Sequence, residues 1–99
     1  MKLMKTELRS LQGYLSVYLN IENGEIQIST NLSDGKNGQA VYEHLKLALD
    51  FSGKVICLES EMDGPNSRSI TVKFDSIFAL VNYLKHHGLN MAQIKIMEI

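Results

Sequence analysis

Cysteine occurs once in this chain of 99 residues, as Cys57, and proline once, as Pro65. A single thiol excludes an internal disulfide and any metal centre built from several thiolates. Charge of one sign is lacking as well: ten basic residues stand against eleven acidic ones, a formal net charge of −1. That balance gives no polyanion-binding tail and no field to steer a charged partner from a distance. No apolar run approaches the roughly 18 residues of a membrane-spanning helix. The opening Met1-Lys2-Leu3-Met4-Lys5-Thr6-Glu7 is charged too early and too often for a signal peptide. No membrane association and a reducing, cytoplasmic setting are therefore expected.

What is present is the composition of an ordinary globular domain, 44% hydrophobic and 21% charged. One domain over residues 1–99 is expected, long enough to bury a core without staples. Its clearest local signal is Tyr14 to Leu32, two alternating runs joined at Asn23-Gly24. Asn-Gly suits a two-residue type I′ turn, which needs positive φ at both central positions. That turn sets Glu22 opposite Glu25, Ile21 opposite Ile26, Leu19 opposite Ile28, Val17 opposite Thr30 and Leu15 opposite Leu32. The apolar set, Ile21 included, then shares one face, and a slip of one residue would expose all of it.

Residues 1–12 read as one or two helical turns or a flexible arm, with Leu3, Met4, Leu8 and Leu11 on one helical face. After the hairpin, Ser33 to Gly38 reads as a flexible polar connector, and Asn37 as the N-cap of a helix. Val41, Leu45, Ala48 and Leu49 form the buried stripe of that helix, with Leu47 and Phe51 widening it, and Gly53 closes it. Val55-Ile56-Cys57-Leu58 is apolar on both faces and predicts a strand inside the sheet. A turn around Pro65 leads to a strand that places Ile70, Val72 and Phe74 inward. Asp75 is the expected N-cap of a second helix bearing Ile77, Leu80, Val81 and Leu84, ended by Gly88. A last strand runs from Met91 to Ile99, with Ala92, Ile94 and Ile96 on one face.

The fold class expected is α+β: a two-layer sandwich of a mainly antiparallel five-stranded sheet with two helices on one face, in the order β-β-α-β-β-α-β. Without its first strand this order resembles that of ferredoxin-like domains, in topology alone and with no motif behind it. The Asn-Gly hairpin counts against the standard strand order, because it occupies one of the two neighbours of the strand that follows it. The order of strands in the sheet therefore stays open.

Chemistry is sparse. Cys57, between Ile56 and Leu58, reads as a buried, inert thiol with no neighbour to lower its pKa. His86 and His87 are adjacent, so on a helix their rings diverge by about 100° and cannot chelate one ion; His44 stands alone on the other helix. No third or fourth zinc ligand can be nominated. Glu59 and Glu61 share the outer row of a strand, where pairing with Lys73 or Lys95 is a better use than acid–base catalysis without a pocket. Gly35-Lys36-Asn37-Gly38 precedes a helix but lacks the spacing of a phosphate-binding loop. No catalytic residue, metal ligand or cofactor is assigned.

The open sheet face is the most informative surface. Tyr14 and Tyr18 stand on it about 13 Å apart by strand rise, and tyrosine combines an apolar body with a hydrogen-bonding tip. The expected function is a non-catalytic protein-interaction domain, accessory, regulatory or inhibitory. It would work through that face or an exposed edge strand on a protein partner or as a homodimer. Tyr14, Tyr18, Gln27, Glu59, Lys73, Lys95 and Met97 are the candidate contact residues. One alternative is a weak binder of single-stranded nucleic acid on the same tyrosines, disfavoured by the neutral charge and the lack of an RNA-recognition motif. The other is a small-ligand domain or enzyme with a pocket between helices and sheet.

Overall fold

The computed structural model describes residues 2–60 and 64–98, with the side chains of all of them except 2, 58–60, 97 and 98. Glu61, half of the carboxylate pair considered above, lies outside the described residues. The chain runs β1 (Lys2–Ser10), β2 (Gly13–Glu22), β3 (Glu25–Asn31), α1 (Gly38–Ser52), β4 (Val55–Ser60), β5 (Ser67–Val72), α2 (Ile77–His86), β6 (Asn90–Met91) and β7 (Lys95–Glu98). The strands form one sheet in the order β4-β5-β3-β2-β1-β6, with β7 also on β1. Every pairing is antiparallel. The α+β class stands, with seven strands instead of five among the described residues.

The Asn-Gly hairpin forms as its chemistry requires. Asn23 and Gly24 take φ of 55° and 78°, and the pairs Glu22–Glu25 through Val17–Thr30 are in register. The extra strands lie at the ends of the chain. Residues 2–10 form β1, not a helical or flexible arm, and pair along most of their length with β2. Met4, Thr6 and Leu8 alternate with Lys5, Glu7 and Arg9, and Leu8 is fully buried. Thr6 is the inward polar residue of that alternation, and its hydroxyl is satisfied by donating to the Ala92 carbonyl at 2.7 Å. The expected last strand is broken in two. β6 pairs with Leu8–Arg9 and β7 with Lys2–Lys5, while residues 92–94 leave the ladder between them.

Both crossover connections run over one face. α1 carries the chain from β3 to β4 with β5 between them, the split β-α-β arrangement of the ferredoxin-like order. That order would place the strand after α2 beside β3. Here β2 takes that position, and β6 pairs instead with β1, two strands further out. The helices are antiparallel neighbours. Tyr83 Oη donates to the Ala48 carbonyl at 2.6 Å, and His44 Nε2 lies 2.7 Å from the His87 carbonyl. A carbonyl only accepts, so His44 carries its proton on Nε2.

The core lies between this helical layer and the sheet. Leu15, Val17, Leu19, Ile26, Ile28, Ile70 and Val72 meet Val41, Leu45, Leu49, Leu80 and Leu84, all buried. Where the helices stop short, inward residues stay wet: Ile21 is 48% exposed and Ile96 63%. Ile21 therefore belongs to the core face without belonging to the core. Leu47 and Phe51 do not widen the buried stripe; Phe51 is 74% exposed. β4 is an edge strand and not an interior one. Its register shifts on both sides of Cys57, and with no described strand beyond it Ile56 and Cys57 are exposed, so the thiol is not buried.

The helix caps differ in detail from expectation. Asn37 precedes α1 in a left-handed conformation and makes no side-chain cap; its Nδ2 donates instead to the Gln12 carbonyl at 2.5 Å. Ser76, not Asp75, caps α2, accepting from the Ala79 N–H at 3.1 Å. Nor is Ser33–Gly38 a loose connector. Tyr14 N–H donates to the Lys36 carbonyl at 3.0 Å, and Gly35 lies so close to the Tyr14 carbonyl that a Cβ there would collide with it.

Candidate interaction face

Among the described residues no helix lies over the sheet face opposite α1 and α2, where Ser69 is nonetheless buried. Antiparallel registers place Lys95, Lys5, Tyr18, Ser29, Ser69 and Ser60 in one row across it, each the direct cross-strand partner of the next. Near the Asn-Gly turn, Asn20, Gln27 and Thr71 form a parallel row. Towards the other end, Arg9 pairs with Tyr14. The middle of the face is thus amide and hydroxyl, and its charges collect at two ends.

The basic end lies on β1, β2 and β7. Lys5 stands directly opposite both Tyr18 and Lys95, and its Nζ sits 5.6 Å from the centre of the Tyr18 ring. Arg9, opposite Tyr14, bonds through Nε to the Glu7 carboxylate at 2.6 Å. Each tyrosine of β2 therefore has a cation of β1 as its neighbour. Where residues 92–94 leave the ladder, an open depression of about 480 Å³ forms, lined among others by Lys5, Glu7, Arg9, Ser16, Gln93 and Lys95. Thr6 and Ala92 hold its floor, through the Thr6 hydroxyl and the Ala92 N–H, which donates to the Glu7 carbonyl at 2.8 Å. The acidic end is the hairpin tip, where Glu22 and Glu25 face each other beside a smaller hollow of about 170 Å³ with Asn20, Gln27 and Thr71.

The residues expected to form one contact surface are only partly brought together. Tyr14, 38% exposed, and half-buried Tyr18 stand on the open face, and exposed Lys95 stands on the same face across β1 from Tyr18. Gln27 is half-buried in the polar middle. Lys73 is exposed but lies beyond the end of β5, its N–H bonded to the Lys54 carbonyl at 2.8 Å. Glu59 and Met97 sit on β4 and β7, and their side chains lie outside the described residues. β4 and β7 are at opposite edges, with four strands between them. At about 4.8 Å per strand, Glu59 and Lys95 belong to positions about 24 Å apart, too far for the pairing considered from sequence.

Lys5, Arg9 and Glu7 were missed, because residues 1–12 read as helical. The signal that would have found them is the period-two alternation from Met4 to Arg9, in which Thr6 passes for an outward polar residue.

Residues that carry chemistry elsewhere are engaged structurally or stand apart. His87 stacks on Tyr83, with ring centres 4.5 Å apart, and His44 is committed to the His87 carbonyl. Among the described residues no three His, Cys, Asp or Glu side chains converge into a metal-binding group. No described helix is long and apolar enough to cross a membrane. No protein-family model, curated protein or solved structure matches the chain.

Proposed function

We propose that this chain is a small, non-catalytic interaction domain of accessory, regulatory or inhibitory type, and that it docks a protein partner on the open sheet face. The observation that carries this reading is the pairing of each β2 tyrosine with a β1 cation, Tyr18 with Lys5 and Tyr14 with Arg9, beside an open depression. Tyrosine and arginine are the residue types enriched where proteins meet, because each offers a large contact surface with a polar end. No described helix lies over Tyr14 and Tyr18, so docking on them needs no rearrangement of the fold.

Affinity capture from the native host tests the reading, with wild type compared against Tyr14→Ala/Tyr18→Ala and against Phe51→Ala on the helical side. A partner held by wild type and Phe51→Ala and lost by the tyrosine variant supports it. A partner retained by the tyrosine variant removes the face from consideration. Light scattering decides the self-associating form: one chain mass at every concentration excludes a homodimer.

The alternation of cations and aromatic rings also favours a second reading, single-stranded nucleic acid stacked on Tyr14 and Tyr18. It predicts oligonucleotide binding that weakens steeply with salt. Absence of binding at low salt ends that reading.

A further inference from the structure

The β1–β2–β7 corner holds two lysines in a position that the fold alone disfavours. Lys5 and Lys95 are direct cross-strand partners on the same face, and like charges placed so oppose each other. Arg9 lies four residues along β1 from Lys5, about 13 Å by strand rise, and Glu7 engages its Nε. A guanidinium has five N–H donors, so others remain to bind outward. The depression beside the break at residues 92–94 opens between these cations, with Glu7 the one acidic side chain among the described residues of its lining. A chain whose formal net charge is −1 has thus gathered three of its ten basic residues at one concave corner of its uncovered face.

We infer that this corner is the docking site for an extended, acidic segment of a partner protein, its carboxylates held by Lys5, Lys95 and Arg9 and its backbone lying across Tyr18 and Tyr14. The inference rests on the protein-binding reading given above and names the class of partner. Charge complementarity argues for it directly, since a carboxylate between Lys5 and Lys95 relieves their repulsion and turns an unfavourable pair into a site. The spacing agrees: residues i and i+4 of an extended segment repeat at the same interval of about 13 Å as Lys5 and Arg9. A nucleic-acid strand fits less well. Three cations, one already engaged by Glu7, neutralise few phosphates. A strand continued across the sheet would also meet Glu22 and Glu25 at the hairpin tip. A short acidic segment stays within the basic corner.

Fluorescence anisotropy with labelled deca-glutamate on the intact chain tests this, with single-stranded deca-thymidylate as the rival ligand and salt varied from about 20 to about 200 mM. Deca-glutamate is expected to bind at low salt and to weaken at least about tenfold in Lys5→Gln/Lys95→Gln. Arg9→Gln should weaken it independently, and Lys85→Gln on α2 should leave it unchanged. Without the peptide, Lys5→Gln/Lys95→Gln is expected to unfold cooperatively near the wild-type temperature, since the lost Lys5–Tyr18 contact and the removed repulsion offset each other; this separates lost binding from lost fold.

Absence of deca-glutamate binding at low salt overturns the inference, as does equal loss in Lys85→Gln, the mark of diffuse charge. Tighter binding of deca-thymidylate, lost in Tyr14→Ala/Tyr18→Ala, also overturns it, in favour of nucleic acid. If deca-glutamate fails while a captured partner still depends on Tyr14 and Tyr18, the acidic class falls and the protein-binding reading stands.

Discussion

Cys57 and Tyr83 show how single side chains depend on what lies beyond their own segment. Cys57 has apolar neighbours on both sides in sequence, and its thiol is nonetheless exposed on edge strand β4, opposite Thr71. Titration with a thiol reagent should therefore modify it in the native state at a rate close to that of the unfolded chain; strong protection by folding would contradict its placement. Tyr83 packs on Phe74 at 5.6 Å between ring centres and donates to the Ala48 carbonyl. Burial raises its pKa above the ordinary tyrosine value. A group raised in this way stabilises the fold fully below its unfolded value of about 10 and loses that contribution as pH climbs through the folded value. Alkaline melting curves should show wild type losing stability as pH rises from about 10 towards the folded value. Tyr83→Phe, with no proton to release, should lose less there while costing about 0.5–1.5 kcal/mol at neutral pH. A variant with an unchanged alkaline slope would show that Tyr83 is not the group responsible. Neither residue was legible from its neighbours alone: whether a strand is an edge, and which helix lies across another, are facts about partners.

At the scale of elements, the segments read correctly are those in which several local signals agree. The β2–β3 hairpin has both its turn residues and its alternation pointing to one register, and the structure has that register. The stripe Val41, Leu45, Ala48 and Leu49 on α1 is buried for the same reason. β1 was misread because Leu3, Met4, Leu8 and Leu11 satisfy a helical spacing, while the inward Thr6 disguises the alternation of a strand. Its hydroxyl finds a partner 86 residues away, the Ala92 carbonyl, which no local pattern reveals. That bond holds the detour at residues 92–94, and with it the depression of the basic corner. Thr6→Val keeps the shape and removes the donor, so it should cost about 1 kcal/mol. Hydrogen exchange should quicken at Ala92, whose N–H donates to the Glu7 carbonyl, ahead of the hairpin; equal protection in both proteins would mean that the detour is held by something else. The candidate site was legible by half for the same reason. Its tyrosines lie on the well-read hairpin, and two of its cations lie on the misread strand.

For the whole molecule, the order β4-β5-β3-β2-β1-β6 makes β1 the strand that joins the two ends of the chain. Both β6 and β7 attach to the sheet through β1, and α2 leads directly into β6. The hairpin counts against the ordinary ferredoxin-like order, because β2 occupies the place beside β3. It did not foretell where the displaced strand would go, since pairing between the two ends of a chain depends on no turn residue. The consequence is testable. A frayed arm would be dispensable, whereas a strand between β2 and β6 is not. Leu8, fully buried, packs at the level of Leu15 on β2 and Met91 on β6, and truncating a buried leucine costs about 2–5 kcal/mol. Leu8→Ala should lower the midpoint of chemical denaturation by a corresponding amount. The chain shortened to residues 13–99 should lose cooperative unfolding altogether and bind hydrophobic dye, because the inward face of β2 loses its neighbour and β6 and β7 lose their ladder. A shortened chain that melts cooperatively at the wild-type temperature would show that the ends are not joined through β1, and would dismantle the basic corner with it.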